Sequence, residues 1–318
     1  MNKLNEIIPE FQAENAIEFW EFLSPHRYIL QPGERMIFRG QTDSRWPLEP
    51  SILRNKNHPV YSHPMMKSNP DRSDFQIIAE IGALKIFTDH CDSAGLQIPG
   101  ITAKFKHEYL DNPNDIFSDT IVTHKSPWPM EEYFDIMSLA QHYGLQTRLL
   151  DWSRNPYIAA YFAVAKLVMK GEEYGDQRFA VWALDIKVLP KNLQIITVPS
   201  ANNLNIAAQQ GVFTLLRQPY QMGMDFENTP LLDEYMKSQV TVQGRQRLVK
   251  ISLPQKECYK IVDLCSMYGI TAATLQPDFY GAAKATQIAL AVTSKSQDSE
   301  CRDVKVVKSP AISKLYSK

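Results

Sequence analysis

Nine polar or charged residues stand inside otherwise apolar stretches of this chain: Arg39, Gln41, Gln141, His142, Arg148, Asp151, Ser153, Gln209 and Gln210. Charges in such surroundings must be paired or used, because a lone buried charge is costly. Arg39 ends a strand-like run and precedes Gly40, whose missing side chain lets a ligand reach the backbone. The planar fork of an Arg suits phosphate. Gln210-Gly211 repeats this union of a polar side chain with permissive backbone. Arg148 and Asp151 lie close together in one short, mostly apolar stretch, where they form either a structural ion pair or part of a site. The aromatic neighbours Phe38, Trp46, Tyr143, Tyr157, Tyr161 and Phe213 either stack on a flat ring or fill the core, as most aromatics do. His142 either complements a helix C-terminus or joins the site. Gln209 either bonds a turn or meets a ligand.

Other chemistries lack their patterns. The His residues at 26, 58, 63, 90, 107, 124 and 142 form no HExxH or HxH, so no dedicated metal site is expected. No GxSxG marks a serine nucleophile. Cys91, Cys258, Cys265 and Cys301 form no CxxC, and Cys258 and Cys265 fit the core face of a helix. The formal net charge of −1 speaks against a protein that coats nucleic acid generally, although a local basic patch leaves nucleic acid open as a partner. Hydrophobic residues make up 44% of 318, enough for a well-filled core. The start, MNKLNEIIPEF, lacks the charge and apolar run of a signal peptide, and no run of about 18 apolar residues exists. A cytoplasmic protein without a membrane span is the expectation.

The stretch Met137–Ala165 must position most of these groups. It reads as helix, turn, short strand, turn and helix, with Gly144 closing the first helix and Asn155-Pro156 opening the second. Arg178–Ile186 and Leu248–Leu253 have the composition of strands, and Gln210–Leu216 reads as extended. Glu10–Ser24 reads as one amphipathic helix and Asn55–Asp74 as a long surface loop. Asp278 caps a last helix to about Ala291. The fold class is α+β, a mixed or mostly antiparallel sheet surrounded by helices. One domain spans 1–293, followed by a polar tail at 294–318 with a short strand at Val304–Val307.

Phe38-Arg39-Gly40-Gln41, followed by Trp46-Pro47-Leu48 and Ser51-Ile52-Leu53-Arg54, resembles the signature of the FRG domain. Gln141–Gly144 and Thr147–Pro156 are similar to that family's central motif, Asn205–Thr214 to its third block, and Leu275–Asp278 to a fourth. The resemblance covers roughly 27–290. The layout is also similar to that of ADP-ribosyltransferases. That resemblance implies an NAD substrate anchored by Arg39, its nicotinamide ribose supported by Ser153, and Gln210 where those enzymes carry a Glu. Gln cannot hold a negative charge, so Asp151 supplies the carboxylate or the site binds without turnover.

Three readings stay open. One is a bacterial toxin or antiviral-defence enzyme that cleaves or transfers from NAD, with a macromolecular acceptor where it transfers. In it Arg39, Asp151, Ser153 and Gln210 are catalytic, and Phe38, Gly40, Gln41, His142, Tyr143, Arg148, Gln209 and Phe213 bind ligand. The second is a non-catalytic nucleotide-sensing or interaction module. The third makes the same polar groups a buried network that fixes the core.

Overall fold

A computed structural model describes residues 8–24, 35–54, 73–171, 174–197, 204–219, 230–239 and 247–307. Among them, seven strands form one sheet: β1 Glu10–Gln12, β2 Met36–Gln41, β3 Leu150–Ser153, β4 Arg178–Asp185, β5 Leu193–Ile196, β6 Gly211–Leu216 and β7 Leu248–Pro254. Their spatial order is β1-β7-β4-β2-β3-β6-β5. All pairings are antiparallel except β1 with β7. Around the sheet lie α1 Ala16–Leu23, α2 Ser51–Arg54, α3 Ser73–Ser93, α4 Ala103–Tyr109, α5 Phe134–His142, α6 Pro156–Lys170, α7 Leu204–Gln209, α8 Leu232–Ser238, α9 Cys258–Met267, α10 Ala272–Leu275 and α11 Phe279–Val307. The class is α+β with a mixed sheet.

The central stretch folds as its local signals dictate. The Asn155 side chain accepts the amides of Tyr157 and Ile158, with Pro156 at the first helical position of α6. Gly171 ends α6 at φ 64°, and Gly144 follows α5 at φ 96°. Alternation along β2 then builds two cores. Phe38 packs with Phe179, Val181 and the apolar face of α6. Ile37, next in the chain, joins Trp152, Trp182, Leu184 and Val212 on the other face. A third core under α3 and α5 gathers Trp128, Tyr133, Ile136, Phe213 and Leu215.

Several local readings need correction. Glu10–Ser24 is not one helix: Glu10–Gln12 adds to the edge of β7, and α1 begins only after Asn15, whose side chain caps it. An open strand edge outweighs the helical periodicity there. Helix α11 runs to Val307, past the expected end near Ala291 and through the expected strand at Val304–Val307. Of the long loop expected at Asn55–Asp74, residues 55–72 lie outside the described set, while Ser73 and Asp74 begin α3. Residues 308–318 of the tail also lie outside it. No helix among the described residues is long and apolar enough to cross a membrane.

Candidate functional site: a carboxylate held between Arg39 and Gln141

Strands β2 and β3 share one register pair, Phe38 with Ser153, whereas β2 continues beside β4 for its whole length. Arg39 takes over where the β2–β3 ladder stops. Its Nη1 donates to the Asp151 main-chain carbonyl at 2.6 Å and lies 3.6 Å from the Asp151 carboxylate. The Arg39 side chain is 13% exposed and that of Asp151 63%. One wall of this ion pair is therefore core and the other is solvent. The Nε of Arg39 is buried without a hydrogen-bond partner. Burial pulls the Arg39 guanidinium below its ordinary value, the Asp151 charge opposes the shift, and the nearby Arg54 charge adds to it. Arg39 remains a cation nonetheless.

Helix α5 supplies the second hold on Asp151. Gln141 Nε2 donates to Asp151 Oδ1 at 2.7 Å. The Gln141 orientation is fixed from behind, because Thr147 Oγ1 accepts the Leu149 amide and donates its own proton to Gln141 Oε1. His142 stands beside this group. Burial lowers its pKa, and the Asp151 charge works against that shift. Tyr143 is 70% exposed and its ring lies edge-on to His142 at 5.0 Å. The arrangement is a solvent-facing carboxylate, oriented by an amide and a guanidinium, with an imidazole and a second Arg nearby.

Arg148 does not join it. The expected Arg148–Asp151 pair is absent, because Arg148 is 3% exposed and points into the third core. There its Nε meets both oxygens of Glu80 at 2.9 and 2.7 Å, and Nη1 reaches Gln218 at 2.7 Å. Trp128 donates its indole N–H to the same Glu80 at 3.0 Å. Sequence reasoning missed Glu80, although an acid inside the apolar run of α3 was the available signal.

Other candidates serve the fold. Phe38 and Phe213 are 3% and 6% exposed, so neither offers a ring face to a ligand. Gly40 is needed for packing rather than for ligand approach, since a Cβ there would lie 2.0 Å from the Ala159 carbonyl oxygen and 2.7 Å from the Ala163 nitrogen. Gln41 is spent on the Pro47 carbonyl at 2.9 Å and the Trp182 indole N–H at 2.6 Å. Ser153 donates to the Gln209 carbonyl at 2.8 Å and accepts the Asn155 amide at 3.0 Å. Gln209 donates to the Leu275 carbonyl at 3.2 Å. Gln210 is exposed, has φ 49°, and offers its main-chain carbonyl to the Arg154 amide at 3.0 Å. These contacts tie α7 to β3 and α10. The structure thus unites Arg39, Gln141, His142 and Asp151, and separates Arg148 from them.

Among the described residues, no group of three or more His, Cys, Asp or Glu is placed to hold a metal ion. No curated protein and no solved structure matches the chain. The model of one family does match it, over residues 34–171, short of the blocks at Asn205–Thr214 and Leu275–Asp278. That matched span, which contains both arms of the Arg39–Asp151 cluster, is an FRG domain.

Proposed function

We propose that the Arg39–Asp151 cluster binds a nucleotide, with NAD the foremost candidate, and that Asp151 is its reactive carboxylate. The observation that carries this reading is the pairing of exposure with restraint. Asp151 is 63% exposed, yet both its carboxylate and its carbonyl are held by protein donors. A surface Asp kept only for solubility needs no such hold. In an NAD-cleaving reaction the positive charge grows on the ribose as nicotinamide leaves, and a fixed carboxylate stabilises that charge. Arg39 and Arg54 provide the positive field that a pyrophosphate requires. Ser153 and Gln210 have no part in this version, because Ser153 is committed to main-chain bonds.

The test is calorimetric titration with NAD together with chromatographic analysis of nicotinamide release, on the parent and on Asp151→Asn. The expected result is binding by both proteins and release by the parent alone, with a loss of about hundredfold or more, the scale of one preorganised electrostatic group. A parent protein that neither binds NAD nor releases nicotinamide overturns the reading. The resemblance to ADP-ribosyltransferases implies a Gln, Gln210, in place of their Glu, and a site without turnover is the variant that this implies. Binding without release by the parent selects that variant.

A further inference from the structure

A concave site lies away from Asp151, past Trp182 on the same sheet. Its rim is the loop that follows β2. This loop is pinned at nearly every residue. Gln255 Nε2 donates to the Thr42 carbonyl at 2.7 Å, Ser44 donates its amide to the Arg178 carbonyl at 2.8 Å, and Lys250 Nζ reaches the Ser44 carbonyl at 3.2 Å. Asp43 accepts the Arg45 amide at 2.9 Å and grips its guanidinium with both carboxylate oxygens. Beyond the loop, Leu48 donates its amide to Asp233 at 3.0 Å, which ties α8 to the rim. On this rigid support the indole of Trp46 stays 49% exposed. A large ring held half in water at the rim of a cavity offers a face on which a planar ligand can stack.

The occupant's chemistry follows from the walls. The cavity measures about 380 Å³ and is lined by Trp46, Trp182, Arg45, Lys237, Lys250 and Asp233, among others. That volume lies within the range of about 300–1,000 Å³ usual for small-ligand pockets. Lys250 already has Glu10 at 2.9 Å and lies 5.3 Å over the Trp182 ring. Arg45 already has Asp43 at 2.6 Å. Lys237 is exposed at the end of α8, four residues after Asp233 on the same helix. The lining therefore combines one half-exposed aromatic side chain, three cations and one carboxylate, Asp233, which already accepts the Leu48 amide.

We infer that this cavity is a binding site for a nucleotide unit, with the base stacked on Trp46 and the phosphate drawn to Lys237, Arg45 and Lys250. Each half of such a ligand meets only half of the lining. A nucleoside or inorganic phosphate alone is held weakly, and the joined molecule is held well. The site does not depend on the Asp151 cluster. Ser44, Arg45, Trp46 and Pro47 line it, and Asp151 does not.

The indole N–H NMR spectrum of the full chain tests this directly. The Trp46 resonance is identified by its disappearance in Trp46→Phe. Titration with AMP is expected to shift that resonance saturably. Adenosine and inorganic phosphate each require at least about tenfold more ligand, the loss of roughly one charged or stacking contact. Lys237→Ala raises the AMP midpoint by about fivefold or more, with no change in melting temperature. Arg39→Lys leaves the midpoint where it was, which separates this site from the one containing Asp151. A hexauridylate that binds tighter than UMP identifies single-stranded nucleic acid as the source of the nucleotide. Equal affinity identifies the free molecule. A Trp46 resonance that ignores AMP and UMP at millimolar concentration overturns the inference. So does one that responds equally to adenosine, or an AMP midpoint that moves with Arg39→Lys and not with Lys237→Ala.

Discussion

Two arginines in the same matched domain have opposite fates. Arg148 is sealed in the core under α3, with Glu80 as counter-charge and Gln218 and Trp128 completing the network. Arg39 stands at a seam in the sheet, with Asp151 facing water and its own Nε left without a partner. Both residues are an Arg in a mostly apolar strand-like run. What separates them is how completely each charge is satisfied. Arg148 is 3% exposed, and none of its nitrogens is among the buried side-chain atoms left without a partner. The Arg39 cluster is open on one side and keeps a restrained carboxylate in solvent. Completeness of pairing, more than burial of the Arg itself, distinguishes a structural charge from a candidate site.

The largest expected effect tests the closed network. Glu80→Gln leaves the Arg148 guanidinium buried without its counter-charge, and is expected to lower stability by about 3–5 kcal/mol. A lowered urea midpoint with an unchanged transition slope is the readout. A cost near zero would mean that Arg148 finds another anion or water, and the contrast with Arg39 would fail.

Gly40→Ala tests the core side of the same strand that carries Arg39. The added methyl meets backbone atoms of α6, which cannot rotate aside as a side chain can. Overpacking of this kind costs about 1–3 kcal/mol, measured as a fall in melting temperature. A neutral result would show α6 free to move off the sheet and would return the glycine to a role in ligand approach.

Asp151→Asn should cost far less, under about 1 kcal/mol, the scale of an exposed ion pair. Had Asp151 faced Arg148 in the core, the same change would cost several times more. Chemical denaturation of parent and variant distinguishes the two. A large loss would make the Arg39 cluster as structural as the Arg148 network.

The smallest effect is on proton binding. Burial holds the folded-state pKa of His142 below its ordinary value, and Asp151 partly restores it. Between the lowered value and about 6.5 the unfolded chain binds more protons than the folded one. The contribution of His142 to stability is therefore fully present above neutrality, declines as pH falls through about 6.5, and levels off below the folded-state pKa. Asp151→Asn removes the opposing charge, so the His142 ring should titrate at still lower pH, as followed by NMR. An unchanged titration would place the Asp151 charge too far away to act on it.

Local structure was legible in the chain, and the reasons are local. Asn155-Pro156 and Gly171 bound α6 because capping and a left-handed exit need only neighbouring residues. Arg178–Ile186 and Leu248–Leu253 announce β4 and β7 by their composition. The motif blocks suggest that Arg39, Arg148, Asp151 and Gln210 share one site; Arg39 and Asp151 meet, whereas Arg148 pairs with Glu80. The rest was not legible. Glu10–Gln12 looks helical until the edge of β7 is available to pair with it. Phe38 looks like a ring for stacking until α6 covers it.

The sequence by itself determined the helices and turns of the central stretch, the strands β4 and β7, and which polar residues must be accounted for. Those choices rest on backbone geometry and periodicity, which act over a few residues. Only the tertiary structure decided the partners. Arg148 stands three residues from Asp151 and pairs with Glu80, which is 68 residues away. Arg39 reaches Asp151 across 112 residues. The reason is that a charge is stabilised by whatever group lies within a few ångströms after burial, and side-chain alternation along a strand sends neighbouring residues to opposite faces.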